Sequence, residues 1–249
     1  MKPEEINELE LIAHNAWFAQ ERMRIGGWLL RADNGVTRRA NSVLPLGPPG
    51  LALSTAIDFA IEFYQSREII PRFQMSEASL PKELDTTLEE RGFIKAFPVE
   101  VWTAEIFSLE NLKTNYDTDL LDYLSDEWVQ TYLQASGYDS STMGVRKGIL
   151  ERTKQARVYV QAKRNDSIDA VGFGVVEGKW LGVFNIATHP DKRRLGAATA
   201  INHALGLWGN QLGATHVYLQ VETNNSKAKN LYTKLGFAHA YTYWYRRLD

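Results

Sequence analysis

Two arginines followed by small residues form the stretch of this sequence that is best suited to hold an anion. The junction reads, in order, Arg193, Arg194, Leu195, Gly196, Ala197, Ala198 and Thr199. Apolar residues spaced three and four apart then predict a helix from Ala198 to Leu212. The first N–H groups of a helix have no partner within it, and the helix dipole favours negative charge there. This junction is therefore suited to a phosphate group.

A purely structural role explains the same junction, since small residues also let a helix start pack closely against its neighbours. Two other phosphate motifs do not fit. No Gly-Lys-Ser/Thr follows, as a nucleotide-hydrolase loop requires, and the single Gly196 does not make a dinucleotide-binding fingerprint. The junction alone leaves the anion-binding and the structural interpretation open.

A second stretch, Asn225–Phe237, favours the anion-binding interpretation. Its Asn-Ser start and its Gly236 end predict a short helix. The pattern R-x-x-G-x-A at Arg193–Ala198, followed by N-x-x-A-x-x-L-Y-x-K-x-G-F at Asn225–Phe237, resembles the acetyl-CoA-binding core of the GNAT N-acetyltransferase superfamily. The resemblance covers most of the chain beyond residue 105.

The resemblance implies where acetyl-CoA, the expected cosubstrate, is held. Its pantetheine arm is expected between two strands, 181–188 and 216–222, that separate from one another. Backbone groups of the first strand would hold the thioester carbonyl, because fixed donors stabilise a developing oxyanion. The expected contacts of acetyl-CoA are Ile186, Ala187, Thr188, Arg193, Arg194, Leu195, Gly196, Ala197, Ala198, Thr199, Asn225 and Tyr232.

The resemblance also implies a proton donor and leaves the base open. Tyr232 would protonate the leaving thiolate, since a phenol with a pKa of about 10 lies near a thiol with a pKa of about 8.5; a core aromatic is the alternative. Glu222 and Glu177, each at a strand end, are the candidate general bases, acting directly or through water, although a glutamate such as Glu222 is more often a solvated strand-end charge. Related sequences often carry a carboxylate early on the fourth strand, whereas this one has Gly182–Asn185 there.

The N-terminal half repeats the pattern of the C-terminal half without the anion-binding junction. Arg72–Phe93 resembles Tyr218–Phe237, each with a central glutamine (Gln74 and Gln220) and a Gly-Phe end. We therefore expect two GNAT-like domains in tandem, a degenerate one at 1–104 and a catalytic one at 105–249. The expected fold class is α/β (α+β), with a mixed, mostly antiparallel sheet flanked by helices. The alternative is that the two halves are not a repeat and that their sequences are similar only because all αβ units share such patterns.

Local patterns make further predictions. Helices are expected over residues 3–18 and 118–134, and a turn at 33–35 is expected to join a strand at 28–32 to a returning strand at 37–46. Polar residues of that returning strand indicate either a solvated edge or a substrate cleft: Arg38, Arg39, Asn41 and Ser42. Aromatic residues of the helical region after residue 117 line the acceptor site or the core: Trp128, Tyr132 and Tyr138.

Composition limits the classes of partner. The net charge of −2 and the dispersed lysines and arginines predict no nucleic-acid surface. Cysteine is absent, and the five histidines show no ligand spacing, so we expect no metal site. The acidic N-terminus is unlike a secretory signal and no run is long enough to span a membrane, so we expect a cytoplasmic protein that contacts no membrane.

The expected acceptor is a small-molecule or peptide amine, and the chain is expected to be a monomer or a homodimer. A non-catalytic CoA-binding or interaction protein on the same scaffold is the alternative function.

Overall fold

A computed structural model describes residues 1–165 and 167–249 of the chain. Its helices are α1 (Pro3–Ala16), α2 (Leu53–Gln65), α3 (Leu84–Glu90), α4 (Phe107–Glu110), α5 (Asp126–Ser136), α6 (Met143–Arg152), α7 (Ala197–Gln211) and α8 (Ser226–Lys234). Its strands are β1 (Glu21–Ile25), β2 (Trp28–Ala32), β3 (Val43–Pro45), β4 (Arg72–Met75), β5 (Ile94–Glu105), β6 (Asp117–Leu121), β7 (Ala156–Arg164), β8 (Ser167–Glu177), β9 (Trp180–Thr188), β10 (His216–Glu222) and β11 (Ala238–Arg247).

The chain forms two compact units, each built from separate stretches. Unit 1 consists of Met1–Glu100, Gly148–Thr153 and Tyr241–Asp249, and unit 2 of Val101–Lys147 and Lys154–Ala240. The predicted boundaries, 1–104 and 105–249, stay a prediction, because compactness does not test how the chain divides into inherited domains.

Unit 1 has the strand order β1-β2-β3-β4-β11. Only the β3–β4 pair is parallel, and the other pairs are antiparallel. Its core contains aromatic rings in edge-to-face contact, with centroid distances of 5.3 Å for Trp28–Phe73 and 5.6 Å for Phe73–Phe93. This geometry adds to the burial of their apolar area.

Unit 2 has the strand order β5-β10-β9-β8-β7-β6. Strands β6 to β9 pair antiparallel, and β9 and β10 pair parallel through the crossover helix α7. Glycines of β8 let α7 lie close to the sheet, since a Cβ on Gly172 would collide with Ile201 and one on Gly174 would lie 2.5 Å from Leu205 Cδ2. The predicted fold class, a mixed and mostly antiparallel sheet with helices, is confirmed.

The helix predicted over 118–134 is wrong in its first part. Asp117–Leu121 is a strand that pairs with β7 along its whole length. Helix α5 begins only after Ser125, whose Oγ accepts a hydrogen bond from the N–H of Trp128 at 3.1 Å. The N-terminal helix prediction is confirmed, since α1 covers Pro3–Ala16.

The returning strand predicted over 37–46 is also wrong for most of its length, because β3 is limited to Val43–Pro45. Asn41 organises the preceding residues as a loop: its Oδ1 accepts hydrogen bonds from the N–H groups of Asp33 and Gly35, at 2.7 and 3.0 Å. Asn41 and Ser42 are fully buried, so neither is part of a solvated edge. The sequence analysis missed β1, which pairs antiparallel with β2.

Candidate functional site

Strands β9 and β10 separate in the second half of their length. Their parallel register covers Trp180–Gly182 on β9 and His216–Tyr218 on β10. Strand β9 then continues to Thr188 and β10 to Glu222. The ladder between the two strands therefore ends at Gly182 and Tyr218, and the pantetheine position implied by the resemblance stays a prediction.

A β-bulge lies in β9 at this separation. Val171 of β8 is opposite Ala187, and Phe173 is opposite Phe184, so two residues of β9, Asn185 and Ile186, oppose one of β8. Asn185 has a left-handed backbone conformation with φ of 51°. A bulge bends the strand and so changes the direction in which the following residues point. Here those residues are Ala187 and Thr188, two of the predicted acetyl-CoA contacts.

The N-terminus of α7 presents backbone donors directly after β9. The first intrahelical hydrogen bond runs from the N–H of Ala200 to the carbonyl of Gly196 at 3.0 Å. The N–H groups of Ala197, Ala198 and Thr199 precede it and have no acceptor within the helix. Gly196 caps the helix with φ of 96°, and a Cβ there would meet no described atom within 4 Å.

The two arginines of the junction are placed differently. Arg193 donates from Nε to the carbonyl of Thr188 at 3.3 Å and from Nη2 to the carbonyl of Ala135 at 3.4 Å. Ala135 lies in the last turn of α5, where the helix dipole favours a cation. Arg194 and Leu195 are exposed, and Arg194 has a φ of 63°. Arg193 therefore anchors the junction to protein carbonyls, and its contact with acetyl-CoA stays a prediction.

Helix α8 contains most of the second sequence motif, Asn225–Phe237, and lies in unit 2. The Oδ1 atom of Asn225 accepts a hydrogen bond from the N–H of Ala228 at 3.1 Å and so caps the helix. The Nδ2 group of Asn225 is the side-chain donor that can still serve a ligand. Glu222 is exposed at the end of β10, three residues earlier.

Tyr232 lies half-buried on α8 and packs against the core of unit 2. Its ring contacts Phe237 edge to face, with centroids 5.6 Å apart. Burial raises the pKa of Tyr232 to about 12, above the ordinary value used in the sequence argument. Complete proton transfer to a thiolate with a pKa of about 8.5 would then be uphill by about 5 kcal/mol. Tyr232 is thus better suited to donate a hydrogen bond to the sulfur than to ionise fully.

Three other candidate residues have structural roles in unit 2. Glu177 pairs with Trp180 at the hairpin between β8 and β9, which is the opposite end of β9 from Thr188. Trp128 is fully buried and donates from Nε1 to the carbonyl of Gly172 at 3.1 Å, and Tyr132 is buried against it. The core interpretation therefore holds for both aromatics.

The residues present fit acetyl-CoA. Unpaired N–H groups at α7, an open approach at Gly196 and the separation of β9 from β10 form one continuous edge of unit 2. Among residues 1–165 and 167–249, no three acidic or histidine side chains are grouped to hold a metal ion. No helix in that part of the chain is long and apolar enough to cross a membrane.

The family model described as "Probable histone acetyltransferase Rv0428c C-terminal" matches residues 4–246. The chain belongs to this family. Among relatives of the Rv0428c C-terminal family, the uncharacterized N-acetyltransferase YobR of Bacillus subtilis is 31% identical over 251 residues, covering 98% of both chains. The family places the chain among the GNAT proteins as a probable N-acetyltransferase, a class that uses acetyl-CoA.

Solved structures agree on the fold. A GCN5-related N-acetyltransferase from Kribbella flavida matches with a TM-score of 0.69 and 14% identity, covering 98% of this chain and 95% of that chain. A tandem GNAT protein from the clavulanic acid biosynthesis pathway matches with a TM-score of 0.64 and 9% identity, covering 96% and 87%. At these identities the likeness shows the fold alone, and it confirms the expected tandem GNAT-like architecture.

The sequence analysis missed the bulge at Asn185–Ile186. Its only local signal is an asparagine, a residue that tolerates a left-handed backbone, inside an apolar strand. The register of β8 was needed to recognise it.

Proposed function

We propose that the chain transfers an acetyl group from acetyl-CoA to a primary amine of a small molecule or peptide, by direct attack while both are bound. Unit 2 would bind acetyl-CoA, and unit 1 would be a degenerate GNAT-like domain that has lost this site. The observation that carries the proposal is the open N-terminus of α7 directly after a bulged strand that separates from its parallel neighbour.

Each part of this edge has a role in the proposal. The N–H groups of Ala197–Thr199 would hold the pyrophosphate, and Gly196 allows its close approach. The backbone of Ile186–Thr188 and the Nδ2 group of Asn225 would hold the pantetheine arm. When bound, acetyl-CoA supplies an acetyl group activated as a thioester. Backbone donors fixed by the bulge would stabilise the developing oxyanion without reorganisation.

Two side chains are assigned to the reacting groups. Tyr232 would donate a hydrogen bond to the sulfur as negative charge develops there, a role that requires the neutral phenol, and the released thiolate would take its proton from water. Its raised pKa keeps the phenol neutral at physiological pH. Glu222 would accept the amine proton through water, since it is exposed at the end of β10.

A non-catalytic CoA-binding protein is the second candidate. The residue at the bulge is Asn185, and it cannot accept a proton as a carboxylate does. An amine whose pKa is about 10.4 must lose a proton before it attacks, and neither bulge residue, Asn185 or Ile186, can take that proton. Binding and turnover must therefore be measured separately.

Binding is tested by the thermal shift of the full chain with acetyl-CoA. Ligand that binds only the native state raises the apparent melting temperature. We expect a rise for the wild type that is lost in Gly196→Glu. Gly213→Glu is the matched control, since Gly213 lies beyond the other end of α7 with a φ of 86° and open space around its Cα. If both variants lose the shift equally, or a folded wild type shows none, the cofactor site is refuted.

Turnover is tested by the release of CoA thiol with a panel of amines. Tyr232→Phe is expected to lower turnover by about a hundredfold, as for loss of one hydrogen-bond donor to a developing negative charge, while the affinity for acetyl-CoA stays within about twofold. Unchanged turnover would remove Tyr232 from the mechanism. Binding without turnover of any amine would favour the non-catalytic candidate.

A further inference from the structure

Unit 1 contains a cavity that the proposed acetyl transfer does not use. It lies between α1 and the β1–β2 hairpin and has a volume of about 340 Å³. This volume is at the lower end of the range of small-molecule sites. Its walls include apolar side chains from both sides, among them Leu11, Phe18 and Leu29, and basic side chains from β1.

The basic side chains of this cavity have no neutralising partner. Arg22 and Arg24 are two apart on β1, so both face the cavity side of the strand. The guanidinium of Arg22 lies 3.5 Å from the centroid of the Phe18 ring. In the described part of the chain, no carboxylate lies within 4.0 Å of either guanidinium, whereas the neighbouring Arg152 is paired with the buried Asp33. The cavity therefore has uncompensated positive charge.

A buried histidine also lines the same cavity. His14 is only 4% exposed, and its Nδ1 atom has no hydrogen-bond partner. Its ring stacks on Phe18, with centroids 5.6 Å apart. Burial, together with the charges of Arg31, Arg22 and Arg24, lowers the pKa of His14 to about 3, so the ring is neutral at physiological pH. A neutral imidazole offers one N–H donor without adding charge.

We propose that this cavity binds a small organic carboxylate with a flat apolar body. The carboxylate would be held by Arg22 and Arg24, since guanidinium groups match its two oxygens. The body would lie against Phe18 and the leucines, and His14 would donate to the anion. The site would be a separate ligand site in unit 1, and it does not rest on the proposed acetyl transfer.

Isothermal titration calorimetry on the full chain tests this site, with benzoate as the probe and benzamide as its neutral isostere. We expect saturable benzoate binding and benzamide affinity at least about tenfold lower, because the charge-assisted hydrogen bonds are lost. Arg22→Gln and Arg24→Gln are each expected to weaken benzoate by at least about fivefold. Arg91→Gln, which removes the same charge from another face of unit 1, is the matched control and should change affinity by less than about twofold.

His14→Phe keeps a ring on Phe18 and removes the nitrogen atoms, so it should weaken benzoate by at least about threefold. Arg22 and Arg24 are exposed, so their variants test the site even if His14→Phe fails to fold. The proposal is overturned if a folded wild type shows no saturable heat, if benzamide binds as well as benzoate, or if Arg91→Gln weakens binding as much as Arg22→Gln.

Discussion

In unit 1, β3 and β4 are parallel neighbours joined through α2, and in unit 2, β9 and β10 are parallel neighbours joined through α7. Beyond the paired residues the two arrangements differ. In unit 1 the N–H of Leu80 donates to the carbonyl of Pro45 at 3.3 Å, and the carbonyl of Leu80 accepts from Trp28 Nε1 at 3.0 Å. The chain itself thus closes the space next to β3, whereas the ladder between β9 and β10 ends at Gly182 and Tyr218.

The loops that precede α2 and α7 differ in the same way, since the first is packed against its neighbours and the second is open. The loop before α2 contains Pro48 and Pro49, which have no N–H, and it packs against the β1–β2 turn. The N–H of Gly27 donates to the carbonyl of Pro48 at 2.8 Å, and a Cβ on Gly27 would lie 2.5 Å from Gly47. The junction before α7 has an exposed Gly196 with open space around it. The same topology therefore has an open junction in unit 2 and a closed one in unit 1, and the loop makes the difference.

Unit 1 also contains a buried polar network beside these strands. Arg31 donates to the carbonyl and Oγ of Ser42, at 3.0 and 2.8 Å, and to Gln74 Oε1 at 2.8 Å. Gln74 in turn donates to Glu10 at 2.6 Å, and Glu10 accepts from the hydroxyl of Tyr241 at 2.8 Å. Such a network stabilises only while all its members are satisfied.

The largest expected effect is therefore the loss of Arg31. Arg31→Met removes the cation beside the buried Glu10 and leaves Gln74 and Ser42 without their donor. We expect a decrease of about 3–5 kcal/mol in the free energy of unfolding, measured by urea titration. Arg91→Met, at a partly exposed pair with Asp58, should cost less than about 1 kcal/mol. A similar cost for both would mean that the network does not hold unit 1 together.

The repeated glutamines provide a matched pair of variants, one in each unit. Gln74 on β4 is 2% exposed, whereas Gln220 on β10 is half-buried. Gln74→Leu leaves a buried Arg31 and Glu10 each short of a partner, and we expect it to cost about 2–3 kcal/mol of unfolding free energy. Gln220→Leu, at a half-buried position, should cost less than about 1 kcal/mol. Equal costs in the same urea titration would mean that the two glutamines contribute alike to stability. The contrast between the closed arrangement in unit 1 and the open one in unit 2 would then be wrong.

The next effect is electrostatic and confined to unit 1. Arg246 is 4% exposed, and its hydrogen bonds to Asp85, helped by Trp244, hold the pKa of Asp85 below its usual value. A lowered carboxyl pKa contributes stability above the unfolded-state pKa of about 3.9, and that contribution is lost as the pH falls below it. Asp85→Asn should therefore cost about 1–2 kcal/mol at neutral pH and less in acid.

Urea titrations of the wild type and Asp85→Asn at pH 7 and pH 3 measure this difference. Asp58→Asn is the control, because Asp58 is an exposed partner of Arg91. A cost of Asp85→Asn that is the same at both pH values would show that the lowered pKa is not a source of stability.

The sequence predicts those parts of this contrast that depend on interactions between residues close together in the chain. It misses the parts that depend on pairing between distant residues. The helix after Gly196 and the helix after Asn225 were predicted correctly, because caps and apolar spacing are local. Leu120, Leu124 and Trp128 have helical spacing, yet Asp117–Leu121 is a strand because β7 pairs with it. That pairing joins residues far apart in sequence, which periodicity does not report.

The candidate site also combines features that depend on local sequence with features that depend on tertiary contacts. The small residues of the α7 N-terminus are visible in their order, but their anion-binding interpretation also needed the motif at Asn225–Phe237 and stays a prediction. The bulge at Asn185 depends on the register of β8, and the anchoring of Arg193 depends on the carbonyl of Ala135 in α5. Sequence alone therefore predicted which residues form the edge and not how tertiary contacts orient them.

The smallest expected effect compares the first turns of α2 and α7. The N-cap of α2 is Ala52, which is exposed and extended (φ −54°, ψ 135°) and makes no side-chain cap. An aspartate in that conformation can accept a hydrogen bond from a first-turn N–H. Ala52→Asp should therefore raise the unfolding free energy by about 0.5–1 kcal/mol.

The same substitution at the N-cap of α7 should have the opposite outcome. Gly196→Asp places a side chain at φ of 96° and a carboxylate where the pyrophosphate is expected. It should lower both stability and acetyl-CoA affinity, whereas Ala52→Asp should leave that affinity unchanged. Urea titration and acetyl-CoA titration of both variants measure the two quantities. Loss of affinity in Ala52→Asp would mean that α2 also binds phosphate, and the distinction between the two units would fail.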